Sequence, residues 1–127
     1  MAKDIVKLEG VQRRASKSVI GLGKYSYQVR LAHLQMISLE DRRTRGDVIQ
    51  QFKFSHGFNM INWHTGPRPA THTYNTRHHN IILGEVNHSN LRHKFFFNRI
   101  NNLWNSLPTE CHISKSVTIF KKNYDLF

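Results

Sequence analysis

The stretch HKFFFNRINNLWNSLP, His93 to Pro108, limits what this chain can fold into more than any other part of it. At helical pitch Phe96, Ile100, Leu103 and Leu107 fall in one stripe, widened by Phe97 and Trp104, while Lys94, Asn98, Asn101, Asn102 and Asn105 fall opposite. This is an amphipathic helix whose aromatic side is a packing surface, and core roles follow for Phe96 and Trp104. Phe95 breaks the stripe next to Arg92 and Lys94, so it is the aromatic here best placed to stack on an unpaired base, beside its plainer reading as a half-buried structural ring. Pro108 ends the helix because its ring disfavours helical geometry at Leu107.

The rest of the chain supplies helices to pack against. From Ala2 to Val19, Ile5, Leu8, Val11, Ala15 and Val19 recur at helical spacing, and Lys3, Lys7, Arg14 and Lys17 fall on the other side; Val6 is the exception. Gly21 and Gly23 are suited to stop this helix. A second helix is expected over Tyr27 to Met36, with Tyr27, Leu31 and Leu34 in register. Ser38 and Asp41 form a capping-box variant that starts a third helix at Leu39, carrying Arg42, Arg43 and Arg45 and then Val48, Ile49 and Phe52. Gly46 weakens that helix by about 1 kcal/mol relative to alanine. A last helix, nucleated near Ser114 or Ser116, places Val117, Phe120, Tyr124 and Phe127 at matching spacing.

Between Ser55 and Asn90 the periodicity is lost, and Gly57, Gly66, Pro67, Pro69 and Gly84 punctuate a stretch rich in His, Asn and Thr. Only Asn80 to Val86 has the character of a short strand, and it has no evident partner. The expected architecture is mainly α: a small irregular helical domain of about four to five helices with a long central loop and room for one short β element. Its parts are residues 1–54, helical; 55–90, irregular; and 91–127, a helical tail.

Charge narrows the function. Nineteen lysines and arginines against eight carboxylates give a formal net charge of +11, and a polyanion is the partner such a chain suits. The 39% hydrophobic content and the mean hydropathy of -0.55 fit a globular chain and not a disordered one. No apolar run of membrane-spanning or secretion-signal length is present, which leads to the expectation of an intracellular protein, nuclear or cytoplasmic, with no membrane partner. The single cysteine, Cys111, cannot form an internal disulfide.

Catalytic and metal motifs do not emerge. The carboxylates Asp4, Glu9, Glu40, Asp41, Asp47, Glu85, Glu110 and Asp125 are dispersed, with no adjacent pair to hold two magnesium ions. No phosphate-binding P-loop and no nucleophile elbow occurs, and Cys111 beside His112 is not a catalytic dyad. His64, His72, His78, His79 and His88 lack a recognised zinc spacing, so they read as solvated loop residues, and no metal or cofactor is expected. Arg13-Arg14-Ala15-Ser16 fits the basic pattern some protein kinases prefer, a short match that arises often by chance. Arg45-Gly46-Asp47 and the sequon Asn87-His88-Ser89 carry no argument in a helix and in a chain without a secretory signal.

Taken in order, three motifs resemble the C-terminal end of the reverse transcriptase polyprotein of non-LTR (LINE-type) retrotransposons of the jockey and chicken-repeat kind. They are Leu8, Glu9, Val11, Gln12, Arg13 and Arg14; then Leu39, Glu40, Arg42, Arg43, Arg45, Gly46 and Asp47; then Phe96, Phe97, Arg99, Asn102, Trp104, Asn105, Leu107 and Pro108. Phe120 and Lys121 match near the end, where Ile119 replaces the usual serine. The resemblance implies a piece of a longer enzyme: the end of a polymerase thumb and the tail beyond it, with the metal-binding palm and an endonuclease lying upstream. It implies a non-catalytic part that lies against template and primer backbone.

The residues expected to contact nucleic acid are Lys3, Lys7, Arg13, Arg14 and Lys17 on the first helix, Arg42, Arg43 and Arg45 on the third, and Arg92, Lys94 and Arg99 around the aromatic helix. The apolar side of the first helix is expected to dock on the other helices while its cations face the phosphates. No base-reading motif is visible, so binding of RNA, DNA or hybrid should follow backbone and shape. Two alternatives remain: a freestanding basic nucleic-acid-binding module, and a structural tail that packs against the absent palm.

Overall fold

The computed structural model describes residues 2–59, 81–84, 89 and 95–127, the first two of these by backbone alone. The protein is mainly helical, with six helices among the described residues: α1 (Ala2–Lys17), α2 (Tyr27–His33), α3 (Leu39–Ser55), α4 (Phe96–Ser106), α5 (Thr109–His112) and α6 (Val117–Asp125). They fall into two compact units, Met1–Arg45 and Gly46–Phe127, whose boundary lies within α3. None of these helices is long and apolar enough to cross a membrane.

In the first unit, α1 does not bury the face that its hydrophobic periodicity selects. Leu8 is 61% exposed and Val11 54%, whereas Gln12 and Ser16 are 9% and 4% exposed. The reason is hydrogen bonding. Gln12 Nε2 donates to Ile37 O at 2.9 Å, and one carboxylate, Glu9, ties the unit together. Its Oε1 accepts from the Tyr27 hydroxyl of α2, and its Oε2 accepts from Leu39 N, the first amide of α3, at 3.0 Å. A free amide at a helix start is costly when it is not satisfied, so this anion serves as a cap delivered from another helix. Leu31 is the one aliphatic side chain that is buried among the described residues of this unit.

The local signals of the first unit are partly as the sequence suggests. Ser38 Oγ accepts from Asp41 N at 3.1 Å, as a capping residue should, but the Asp41 carboxylate accepts from the Ser38 hydroxyl at 2.6 Å instead of a backbone amide. Gly21 takes a left-handed φ of 83°, and Gly23 does not. Helix α2 stops at His33, short of Met36, because Gln35 adopts φ 51° and closes a Schellman motif. Met36 N donates to Leu31 O at 2.9 Å and Gln35 N to Ala32 O at 3.1 Å.

The second unit has an ordinary apolar core. Val48, Phe52, Ile82, Ile100, Trp104, Leu107, Cys111 and Phe120 form one buried cluster, against which Ile49, Phe96, Leu103, Val117 and Tyr124 pack. Its centre is a stack of rings: Phe52 lies 4.2 Å from Phe120 and 4.1 Å from His56, and Trp104 closes one side with 6.2 Å to Phe120. Each ring nitrogen of His56 faces a carbonyl, Phe52 O at 3.1 Å and His112 O at 3.0 Å. Burial pushes the Cys111 thiol above its usual pKa, and the Glu110 charge adds to this.

Helix α3 ends in a second Schellman motif, this one on Gly57 at φ 68°, with Phe58 N donating to Lys53 O at 2.9 Å. Leu107 turns to extended backbone before Pro108, which begins α5, a short helix that the hydrophobic pattern does not announce. Ser116 caps α6 by accepting from Ile119 N at 3.2 Å.

Of the expected strand over Asn80 to Val86, residues 81–84 are described; they form no strand, and Ile82 alone makes a β-bridge, while Asn80, Glu85 and Val86 lie outside the described residues. Ile82 is held instead by a side chain of α4: Asn105 Oδ1 accepts from Ile82 N and Asn105 Nδ2 donates to Ile82 O, both at 3.0 Å. The Asn105 amide thus fastens the backbone of Ile82 to α4. Asn101, with its amide turned to satisfy both ends, donates to Ile82 O at 2.6 Å and accepts from Gly84 N at 2.9 Å. A side chain at Gly84 would collide there, since its Cβ would lie 2.5 Å from the Asn101 amide.

Candidate nucleic-acid interface

The first unit carries ten lysines and arginines against four carboxylates, and its three helices gather part of that charge. Arg13, Arg14 and Lys17 leave α1 with exposed side chains. Together with Arg30 of α2 they line an open groove of about 720 Å³. Gly10 and Gly23 keep its floor clear, and Tyr25, Tyr27 and Gln28 complete its walls. Among the described residues no carboxylate lines it.

Arg30 organises this groove. It is 5% exposed, although buried guanidinium groups ordinarily need a counter-charge. Its Nε donates to Ser16 Oγ and its Nη2 to Arg13 O, both at 3.2 Å, and its Nη1 donates to Tyr25 O. All three acceptors are neutral. Among the described residues Arg30 makes no direct ion pair; neutral oxygens fix its positive charge beside the groove, and the Glu9 carboxylate lies on the far side of Tyr27.

Tyr27 lies between two cations. The Arg13 guanidinium sits 4.8 Å from its ring centre and that of Arg30 5.8 Å, while its hydroxyl donates to Glu9. Partial burial, then the hydrogen bond to Glu9 and the charge of that carboxylate, push the phenol up to about 12. Tyr27 is thereby a neutral post that holds the Arg13 head against the groove. Tyr25 has its ring 5.6 Å from that of His33 and is half exposed.

The expected contact residues separate in the structure. Arg13, Arg14 and Lys17 come together in the groove, and Lys7 is exposed on α1 but does not line it. The side chain of Lys3 and the residues Arg92 and Lys94 lie outside the described residues, as do His64, His72, His78, His79 and His88. Arg42 and Arg43 are exposed on α3 and Arg45 is half-buried; none lines the groove. Arg99 is engaged within the second unit: its Nε and Nη2 reach a single oxygen of Asp47, at 2.8 and 2.7 Å. Its charge is therefore largely balanced on the spot, which does not favour the third cationic patch. Phe95 is exposed at the start of α4.

Arg30, Tyr25 and Gln28 are not singled out by the sequence patterns, and Tyr27 appears there only in the apolar register of α2. The available signal is Arg30 itself, an arginine adjoining Leu31 in the register that Tyr27 and Leu34 share on α2. Ser16 is buried, so the kinase-like pattern around it serves structure: its hydroxyl donates to Arg13 O at 3.1 Å and receives Arg30. Among the described residues no cluster of histidine, cysteine and carboxylate side chains could hold a metal ion. Compared with models of protein families, with curated proteins and with solved structures, the chain matches none.

Proposed function

We propose that this chain is a non-catalytic, nucleic-acid-binding part of a LINE-type reverse transcriptase, one that holds the backbone of template or primer through the groove of its first unit. The observation that carries the reading is the convergence of Arg13, Arg14, Lys17 and Arg30 on one groove, with no carboxylate among the described residues that line it. Phosphates displace counterions from such a surface, and their release drives binding without regard to sequence. The motif resemblance supports the same assignment from a separate direction. The test is the affinity of the full chain for labelled nucleic acid as a function of salt. Four neutralised phosphates give a log-log slope of about -3 to -4. A slope near zero, or no binding at low salt, removes this function.

A second reading has its own observation. The exposed flank of α1, with Leu8, Val11 and Val19, suits a structural tail that packs on another part of a larger protein. On that reading the isolated chain self-associates, substitutions to lysine on the flank restore a monomer, and nucleic-acid affinity is weak at all salt concentrations.

A further inference from the structure

The groove has features that a duplex backbone would not use. Phosphates of a duplex meet a protein from outside the helix, with their bases stacked away inside. Cations on an open surface are enough for them, as with Arg42 and Arg43. Here the cations line an open groove of about 720 Å³, with exposed aromatic and amide side chains beside them. An aromatic residue that is 49% exposed, Tyr25, stands in its wall. Gln28 is exposed beside it, with an amide that can both donate and accept.

We infer that the groove binds single-stranded nucleic acid, with one phosphate on Arg30 and Lys17 and an adjoining unpaired base stacked on Tyr25. This inference rests on the proposed function and makes it narrower. Arg30 uses three of the five N-H donors that a guanidinium carries, all on neutral oxygens, and a phosphate oxygen supplies a further, charged acceptor. Tyr27 is not the stacking ring, because Arg13 already lies over it. Tyr25 is available, and every base offers a face to such a ring, so the site is indifferent to sequence.

The test compares a fluorescein-labelled ten-nucleotide single strand with a hairpin duplex by fluorescence anisotropy at one salt concentration, using the full chain. The wild type binds the single strand more tightly. Tyr25→Ala weakens single-strand binding at least about fivefold, since stacking on an aromatic ring contributes on that scale, and changes duplex binding less than twofold. Lys17→Gln weakens both, because it removes charge alone. Circular dichroism of each variant confirms that helix content is kept. Tyr25→Ala with undiminished single-strand affinity, or with an equal loss on the duplex, overturns the single-strand assignment and leaves backbone binding standing. A wild-type chain that binds neither probe overturns both.

Discussion

The two units of this protein solve the problem of stability in opposite ways. The second buries aromatic and aliphatic side chains, with Phe52, Trp104 and Phe120 fully enclosed. Among its described residues the first buries Gln12, Ser16 and Arg30 with only Leu31 for company, and turns Leu8 and Val11 outward. An apolar core gains free energy from water release and tolerates no charge; a polar one holds together only while each buried group keeps its partner. The contrast fits their proposed division of work. A guanidinium can be fixed beside a groove only in surroundings that offer it carbonyl and hydroxyl oxygens, and α1 offers these through Arg13 and Ser16.

The largest effect that would sharpen this contrast belongs to the second unit. Trp104→Ala should cost about 3–5 kcal/mol, the usual penalty for emptying a fully buried aromatic site, measured as a shift in urea-induced unfolding. A loss below about 1 kcal/mol would mean that the ring stack is not the core of that unit.

Next comes the carboxylate at the centre of the first unit. Glu9→Ala strands the Tyr27 hydroxyl and the Leu39 amide, and should cost about 1–3 kcal/mol. Leu8→Ala, one position away, should change stability by no more than about 0.5 kcal/mol, because its side chain is already in water. If the two costs come out reversed, the polar account of this unit is wrong. Tyr27 gives a pH test of the same contact. Its folded pKa of about 12 lies above the ordinary tyrosine value of 10.0, so the neutral phenol is favoured by folding. That stabilisation is complete below pH 10 and is lost as pH rises towards 12. Helix content followed by circular dichroism should fall over this window, and earlier in Glu9→Ala.

A smaller effect follows from the two Schellman turns. The second unit places Gly57 at the left-handed position and the first places Gln35 there. Gln35→Gly should therefore stabilise the first unit by about 1 kcal/mol, seen as a higher midpoint in thermal unfolding. A destabilised variant would show that the glutamine side chain earns its place by a contact of its own.

Much of the second unit is legible in the sequence. Phe96, Ile100, Leu103 and Leu107 read as one face and are found packed together, and Ser116 reads as a cap and caps. Apolar periodicity reports burial well when burial is apolar. It fails for α1, where Glu9, Gln12 and Ser16 face inward because they have hydrogen-bond partners distant in sequence, at Tyr27, Leu39, Ile37 and Arg30. Such pairings leave no local trace. The asparagines of α4 fail to be read for a related reason: Asn101 and Asn105 look like a solvent face and prove to be the clamp on residues 82 and 84. Of the groove, Arg13, Arg14 and Lys17 are visible from charge spacing on one helix, while Arg30 and Tyr25 belong to it only through the fold.

The enclosure of Ser16 has a consequence for any enzyme that reads Arg13-Arg14-Ala15-Ser16. With its hydroxyl shut between Arg13 O and the Arg30 guanidinium, this serine offers a kinase nothing to grip while α1 is intact. Phosphate could be added only to molecules whose helix end had come undone, and so the mark would record a fraying event after the fact instead of commanding one.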